Sequence, residues 1–151
     1  GPAFGYASSV VTGLDYHPMT AADYCIDVSD SPLYNQIVDA GKVGAKAIAG
    51  STEPMRRDLH AAGDQRYKLG FVIAHNALRT PGGGSCIFAH LWTNKDSTTA
   101  GCTAMAEPVM RELLAWLDPA RRPVFVLLPR AEYQRLRQTW RLPDLDDPAA
   151  R

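Results

Sequence analysis

The chain has 151 residues, 46% of them hydrophobic and 21% charged, which suits one domain with its own apolar core. Sixteen basic and sixteen acidic side chains give a formal net charge of +0, which argues against a nucleic-acid-binding protein or one held by an anionic membrane. No apolar stretch reaches the length of a membrane span, and the first residues lack the pattern of a signal peptide, so we expect a mature or trimmed chain.

The first part of the chain predicts short strands and helices. Within residues 4–14, Val10 and Val11 suggest a short strand before the break at Gly13, and residues 24–28 alternate well enough in polarity to form a second one. Residues 29–32, Ser-Asp-Ser-Pro, are a helix-start signal, because a capping side chain is followed by proline. We expect that helix to continue to residue 38 or 39. A short helix is also predicted over residues 53–59.

The middle of the chain predicts a β-hairpin. Residues 67–76 have the apolar character of a buried strand, and residues 86–92 alternate as a second strand. Between them lies Thr-Pro-Gly-Gly-Gly, which strongly favours a turn. Pairing of the two strands would bring His75 and Asn76 near the end of the sheet that holds the candidate chemistry described next.

Residues 84–105 carry that candidate chemistry. Strand alternation places His90 on one face together with the aromatic residues Phe88 and Trp92. A short polar loop separates His90 from Cys102 and is long enough to fold back and set the thiol beside the imidazole. A cysteine nucleophile needs such a partner, because a free thiol is mostly protonated at neutral pH.

Gly101 and the segment after Cys102 complete the arrangement. A residue without a Cβ permits a sharp turn, so the backbone N–H groups of Gly101 and Cys102 are candidates to bind a developing oxyanion. Residues 106–117 have the spacing of an amphipathic helix, and its positive end would lie near the sulfur. This combination suits acyl transfer by a cysteine nucleophile.

The last part of the chain predicts a strand, a helix and a tail. Residues 124–128, Val-Phe-Val-Leu-Leu, would close the sheet, and residues 130–140 have helical spacing with arginines on one side. Residues 143–151 are rich in proline and acidic side chains, so we expect a flexible tail after a domain that spans residues 1–142. Several short strands with few helices indicate a mostly β domain with peripheral helices.

The runs Gly-Ser-Cys-Ile-Phe-Ala-His and Thr-Ala-Gly-Cys resemble a branch of the L,D-transpeptidase catalytic domain family, over about residues 3–128. Members of that family are bacterial cell-envelope enzymes that act on peptidoglycan stem peptides. The resemblance implies that Cys102 is the acyl-accepting nucleophile, His90 its general base, and the backbone of Gly101 and Cys102 the oxyanion hole. It also implies a β-sandwich or curved sheet, here without its N-terminal strands, in a periplasmic or secreted protein that needs no cofactor.

Several further residues are candidate substrate contacts, because they lie near the motif in sequence or in the predicted hairpin, or resemble the family branch. They are Trp92, Thr99, Ala100, His75, Asn76 and Tyr34. His75 is also the alternative base. Tyr34 belongs to a Tyr-Asn pair like those of the family branch, although packing explains it as readily. The commoner family motif has a histidine where this chain has Ala100, which bears on the preference for donor and acceptor.

Three cysteines leave one over after any pairing. If Cys102 is the reactive thiol, Cys25 and Cys86 are free to form a disulfide in an oxidising compartment, and two buried thiols are the alternative. A zinc site with Cys86, His90 and Cys102 as its ligands, with or without His75, is an alternative hypothesis for the same residues. The Cys-x3-His spacing is a weak zinc signal, so we expect no metal.

The leading hypothesis is a monomeric cysteine acyltransferase whose partners are peptidoglycan stem peptides. An amine that resolves the acyl-enzyme gives an L,D-transpeptidase, whereas water gives an L,D-carboxypeptidase or endopeptidase. These outcomes share one intermediate, so the sequence does not separate them. A noncatalytic peptidoglycan-binding module is the remaining hypothesis.

Overall fold

The computed structural model describes residues 1–145, in which eight short strands form two sheets and four helices complete the regular structure. The strands are β1 (Ala3–Gly5), β2 (Tyr16–Pro18), β3 (Asp23–Cys25), β4 (Ile37–Asp39), β5 (Glu53–Pro54), β6 (Leu69–Val72), β7 (Phe88–Leu91) and β8 (Thr103–Met105). The helices are α1 (Ala40–Val43), α2 (Ala45–Ile48), α3 (Glu107–Trp116) and α4 (Arg130–Trp140). The domain is therefore mixed α/β, and the expectation of a mostly β domain with peripheral helices holds only in that strands and helices are both present.

The larger sheet has the order β2-β1-β6-β7-β8. Strands β6 and β7 pair antiparallel, with Gly70 opposite His90, so the predicted pairing of these two strands is confirmed. Strand β8 runs parallel to β7, with Ala104 opposite His90. The smaller sheet has the order β4-β3-β5, and both of its pairings are antiparallel. His90 thus lies on a strand with neighbours on both sides.

Both faces of the larger sheet are covered by apolar side chains. One buried cluster contains Ala3, Leu69, Phe71, Ala89, Leu91, Met110 and Leu114. The other contains Phe4, Met19, Cys25, Met55, Tyr67, Cys86 and Phe88. We call the first the helix-side cluster, because α3 contributes to it, and the second the disulfide-side cluster. Alternation along β7 sends Phe88 to the disulfide side and Ala89 and Leu91 to the helix side, as predicted.

Helix α3 covers the helix-side cluster and agrees with the predicted helix over residues 106–117. It begins with Glu107 and Pro108, which suit a first turn because an acidic side chain faces the positive end and proline needs no N–H partner there. Met110 and Leu114, one turn apart on the same face, are fully buried. Burial of this stripe fixes the helix against β6 and β7.

The predicted helix after residue 32 is wrong. Residues 32–35 form a turn, and Ile37–Asp39 is strand β4, which pairs with β3. Asn35 has a left-handed backbone with a φ of 58°, which interrupts a right-handed helix, and its N–H donates to the Ile26 carbonyl oxygen at 2.7 Å. Pairing with β3 therefore outweighs the local helix-start signal.

Two other predictions in the first half are corrected. The strand expected at Val10 and Val11 does not form: the strand of this region is β1, Ala3–Gly5, and Val11 is 80% exposed. Residues 53–59 divide into strand β5 and a 3-10 turn at Arg57–Leu59 rather than one helix. Met55 is fully buried but Leu59 is 56% exposed, because pairing of β5 with β3 fixes the first part in an extended form.

The predicted C-terminal strand is wrong, whereas the predicted C-terminal helix is confirmed as α4. Residues 124–128 pair with no strand in the described part of the chain. Val124, Phe125 and Leu127 line a cleft with Trp116 at the end of α3, and Val124 is 83% exposed. Of the expected flexible tail over residues 143–151, residues 146–151 lie outside the described residues.

Cys25 and Cys86 form a disulfide, with their Cα atoms 5.9 Å apart. The bridge connects β3 of the smaller sheet to the segment that leads into β7 of the larger sheet. Both residues are buried in the disulfide-side cluster, and Cys102 is left as the free cysteine. Of the two arrangements that the sequence left open, pairing is therefore the one adopted.

Loss of this disulfide is expected to destabilise the fold. Its two cysteines are 61 positions apart, and a disulfide typically contributes about 2–4 kcal/mol by restricting the unfolded chain. The double variant Cys25→Ala/Cys86→Ala should unfold at a lower urea concentration than the wild type, as measured by circular dichroism. Cys102→Ala is the matched control, because it removes a cysteine that forms no bridge. Equal urea midpoints for the wild type and the double variant would contradict the prediction.

Candidate active site

Strands β7 and β8 place Cys102 beside the start of the strand that carries His90. Cys102 directly precedes β8, in which Ala104 lies opposite His90. The Cys102 Sγ accepts a hydrogen bond from the Phe88 N–H at 3.4 Å and donates one to the Cys86 carbonyl oxygen at 3.5 Å. The thiol packs against the disulfide-side cluster, on the face of the sheet that also carries Phe88 and His90.

The Cys102 thiol has a raised pKa. Burial is the largest cause; the Phe88 N–H, which lowers the pKa, comes next, followed by the Glu53 carboxylate, which raises it, and the Arg57 guanidinium, which lowers it. The sulfur is therefore a protonated thiol at neutral pH. Helix α3 does not reverse this, because the whole of β8 separates the sulfur from its first residue and the helix dipole acts mainly within the first turn.

The His90 imidazole is buried and held in one tautomer. Its Nδ1 lies 2.7 Å from the Leu91 carbonyl oxygen, which can only accept, so Nδ1 carries the hydrogen and Nε2 carries the lone pair. Burial lowers the pKa of His90. The ring is therefore neutral at physiological pH, with a nitrogen that is able to accept a proton.

Within residues 1–145, His90 and Cys102 share a face of the sheet but form no hydrogen bond with each other. The thiol proton points to the Cys86 carbonyl oxygen and the imidazole Nδ1–H to that of Leu91. Proton transfer from sulfur to Nε2 therefore requires a shift of the thiol or the ring. Such pairs often close only when a substrate is bound.

A group of polar residues that no sequence motif indicates lies beside this pair. The Tyr67 ring lies edge-on to the His90 ring, with 5.3 Å between the centroids, and the Tyr67 hydroxyl donates to the Glu53 carboxylate. Arg57 donates to Glu53 at 3.0 Å and to Asp64 at 3.1 Å. These residues come from separate elements, so no spacing in the sequence predicts that they meet.

The turn before Cys102 has the form that the motif predicts. Gly101 has a φ of 144°, a backbone conformation that side chains other than glycine rarely adopt. The Thr99 hydroxyl donates to the Cys102 carbonyl oxygen at 2.6 Å, which closes the turn. Thr99 and Ala100 are exposed and therefore accessible to a substrate.

The structure separates the other candidate substrate contacts. Trp92 directly follows Leu91, the last residue of β7. Its side chain is 39% exposed and, together with Arg66, lines a cleft of about 460 Å³. The His75 Nε2 donates to the Gly83 carbonyl oxygen at 2.9 Å, and the Asn76 amide donates to the carbonyl oxygens of Thr80 and Gly84 at 2.9 Å, so both side chains stabilise the loop between β6 and β7. Tyr34 is only 4% exposed, which favours packing over substrate contact.

A second cleft lies on the other side of the sheet from the thiol. It has a volume of about 660 Å³ and is lined by Phe71 and Ile73 of the helix side, by Leu113 of α3, and by His75 and Gly101. The thiol itself packs on the disulfide side. His75 therefore borders this cleft rather than the Cys102 side chain, so its placement does not favour the alternative base.

The zinc site considered from the sequence loses one of its ligands, because the Cys86 sulfur is bonded to Cys25. Among residues 1–145, no group of three or more His, Cys, Asp and Glu side chains is arranged to hold a metal ion. The ligands that remain, His90, Cys102 and His75, are each hydrogen-bonded to a backbone carbonyl oxygen.

Comparison of the chain with models of protein families, with curated proteins and with solved structures finds no match. Of the helices in residues 1–145, none has both the length and the apolar character that crossing a membrane requires. The functional assignment therefore depends on the motif and on the site that it forms.

The lowered pKa of His90 predicts a loss of stability in mild acid. The unfolded chain, with an ordinary histidine pKa of about 6.5, binds more protons than the fold as the pH falls below that value. The contribution of His90 to stability is therefore complete above about pH 6.5 and is lost as the pH falls towards its folded pKa. Urea unfolding at pH 7.5 and pH 5.5 measures the change.

His90→Gln should remove this part of the pH dependence, which amounts to no more than about 1.4 kcal/mol per pH unit. The other titrating groups remain in the variant and give the background slope. An unchanged difference in unfolding free energy between the two pH values in His90→Gln would show that His90 is not the source.

Proposed function

We propose that the protein is a bacterial cell-envelope cysteine acyltransferase that acts on peptidoglycan stem peptides, as L,D-transpeptidases do. The observation that carries the proposal is the free Cys102 thiol on the same sheet face as a neutral His90 whose Nε2 has a lone pair. The substrate class is supported by the resemblance of the motif, Gly-Ser-Cys-Ile-Phe-Ala-His with Thr-Ala-Gly-Cys.

In the proposed reaction, the His90 Nε2 takes the thiol proton while the Cys102 sulfur attacks a peptide carbonyl carbon next to a D-centre. The backbone N–H groups of Gly101 and Cys102 stabilise the oxyanion that forms. Collapse of the tetrahedral intermediate breaks the peptide bond, and the leaving amine takes the proton from the imidazolium. The product is a thioester between the donor peptide and Cys102.

The pKa directions favour general-base attack over a preformed thiolate. Burial raises the pKa of Cys102 and lowers that of His90, so both groups are neutral in the resting protein. A thiolate–imidazolium pair would need the opposite shifts. Deprotonation is therefore expected to accompany attack on the substrate, after the thiol and the imidazole approach each other.

An envelope location is supported by the Cys25–Cys86 disulfide. Such bridges persist in oxidising compartments and are rare where glutathione and thioredoxin keep thiols reduced. The bridge also uses the two other cysteines, so oxidative pairing leaves Cys102 available. The nucleophile and the disulfide are thus compatible in one oxidising compartment.

The second candidate function is a noncatalytic peptidoglycan-binding module. It is favoured by one observation: the Cys102 proton is directed at the Cys86 carbonyl oxygen rather than at His90. Hydrolysis of the same acyl-enzyme by water, as in an L,D-carboxypeptidase or endopeptidase, remains within the leading proposal, because it differs only in the acceptor.

Incubation with muropeptides that carry a tetrapeptide stem tests the proposal. We expect intact mass spectrometry to detect an acyl adduct on the wild-type protein and none on Cys102→Ala. His90→Gln should form the adduct about 10²- to 10⁴-fold more slowly, the usual effect of losing a general base. Leu91→Ile, which keeps the carbonyl group that binds Nδ1, is a neighbouring control and should retain most of the rate.

The muropeptide products in the same tubes identify the acceptor. Cross-linked dimers indicate transfer to an amine, and shortened stems indicate transfer to water. If the folded wild-type protein gives neither an adduct nor a product but sediments with isolated peptidoglycan, the acyltransferase proposal is rejected in favour of the binding module.

A further inference from the structure

Tyr67 is the side chain that connects the candidate site to the smaller sheet. It is only 4% exposed, and its ring packs edge-on against Phe4, Phe88 and His90, with centroid distances of 5.8, 5.6 and 5.3 Å. Three ring contacts fix the plane of Tyr67, so the surface that it presents to the imidazole is rigid. The position of the His90 ring therefore depends on Tyr67.

The Tyr67 hydroxyl is held in turn by Glu53. It donates to the Glu53 Oε1, and the same oxygen accepts from Arg57 at 3.0 Å. Arg57 also donates to Asp64 at 3.1 Å, and its guanidinium carbon lies 5.5 Å from the centre of the Tyr67 ring. Both partners of Glu53 are thus fixed, which makes the carboxylate a stationary charge near the site.

We propose that Tyr67 and Glu53 form a positioning pair that holds the His90 imidazole in place and sets the charge to which Cys102 and His90 are exposed. The inference rests on the proposed roles of Cys102 and His90. Glu53 lies in β5 of the smaller sheet and Tyr67 precedes β6 of the larger one. The surroundings of the thiol and the imidazole therefore depend on how the two sheets pack together.

Tyr67 itself does not exchange a proton in this arrangement. Burial, the largest cause, together with the Glu53 carboxylate, raises the pKa of the phenol far above its usual value. The hydroxyl therefore stays neutral, and its hydrogen is directed to Glu53. This makes Tyr67 a positioning residue rather than a base.

The charged groups that face the site oppose one another. The Glu53 carboxylate raises the pKa of both Cys102 and His90, whereas Arg57 lowers both and Arg66 lowers that of His90. The remaining charged neighbour, Asp64, is paired with both arginines. Among the described residues, Glu53 is the acidic group that raises the pKa of both the thiol and the imidazole, and it stabilises the imidazolium that forms when sulfur gives up its proton.

The rate at which iodoacetamide alkylates Cys102, measured against pH on the whole chain, tests the positioning pair without a stem peptide. Glu53→Gln keeps an oxygen that can accept from Tyr67 but removes the charge, so the thiolate forms at lower pH and alkylation at pH 7 should be about 3-fold faster. Tyr67→Phe removes one hydrogen bond to the Glu53 carboxylate, so the negative charge acts more strongly on the thiol. The alkylation profile of this variant should therefore move to higher pH.

Tyr133→Phe is the matched control, because it also removes one hydroxyl hydrogen bond, to the Pro143 carbonyl oxygen at 3.0 Å, but lies in α4. Its profile should equal that of the wild type. Glu53→Asp keeps the charge and should also stay close to the wild type. The comparison of Glu53→Gln with Glu53→Asp decides the matter even if Tyr67→Phe does not fold. Loss of packing alone would disturb the shorter Asp more than the isosteric Gln, which is the opposite of the order expected for loss of the charge.

Identical alkylation profiles for the wild type, Glu53→Gln and Glu53→Asp would overturn the positioning role. The muropeptide reaction is scored separately. Shifted alkylation profiles without any muropeptide adduct reject the acyltransferase and support the positioning pair. Muropeptide adducts with unshifted profiles support the acyltransferase and reject the positioning pair.

Discussion

The antiparallel pairing of β6 with β7 is the contact on which both apolar clusters and the candidate site depend. Gly70 lies opposite His90, and a Cβ at position 70 would come within 2.4 Å of the Ala89 carbonyl oxygen and 2.7 Å of the Phe4 ring. Glycine therefore permits the close approach of three strands. A slip of one residue would exchange Phe88 and Ala89 between the two sides and turn His90 away from the thiol.

Cys86 belongs both to the disulfide and to the surroundings of the Cys102 thiol. Cys86 is bonded to Cys25, has a left-handed backbone with a φ of 55°, and offers its carbonyl oxygen to the Cys102 thiol at 3.5 Å. Its N–H donates to the Asn35 side chain at 2.9 Å. The carbonyl oxygen that accepts the thiol proton is therefore held in place by the disulfide and by the Asn35 side chain.

Burial has opposite consequences for the two groups of the site. Burial raises the pKa of Cys102 and lowers that of His90, so both side chains are uncharged in the folded protein. The charges of Glu53 and Arg57 act on both groups from the smaller sheet and partly cancel. The site resembles a nucleophile and base that are assembled but not yet engaged, which accords with chemistry that starts only when a substrate displaces the thiol proton from its backbone acceptor.

The sequence by itself determined the elements whose pattern is local: the alternation over residues 86–92, the Gly-rich turn before it, and the two amphipathic helices α3 and α4. It also singled out His90 and Cys102 by residue type. Tertiary structure decided the rest. Residues 37–39, which the sequence predicted to be helical, form strand β4 because they pair with β3. The packing of the two sheets brings Glu53 and Tyr67 to the imidazole. Side-chain periodicity records which face a residue occupies, but contacts between distant segments depend on strand pairing, which leaves no local pattern in the chain.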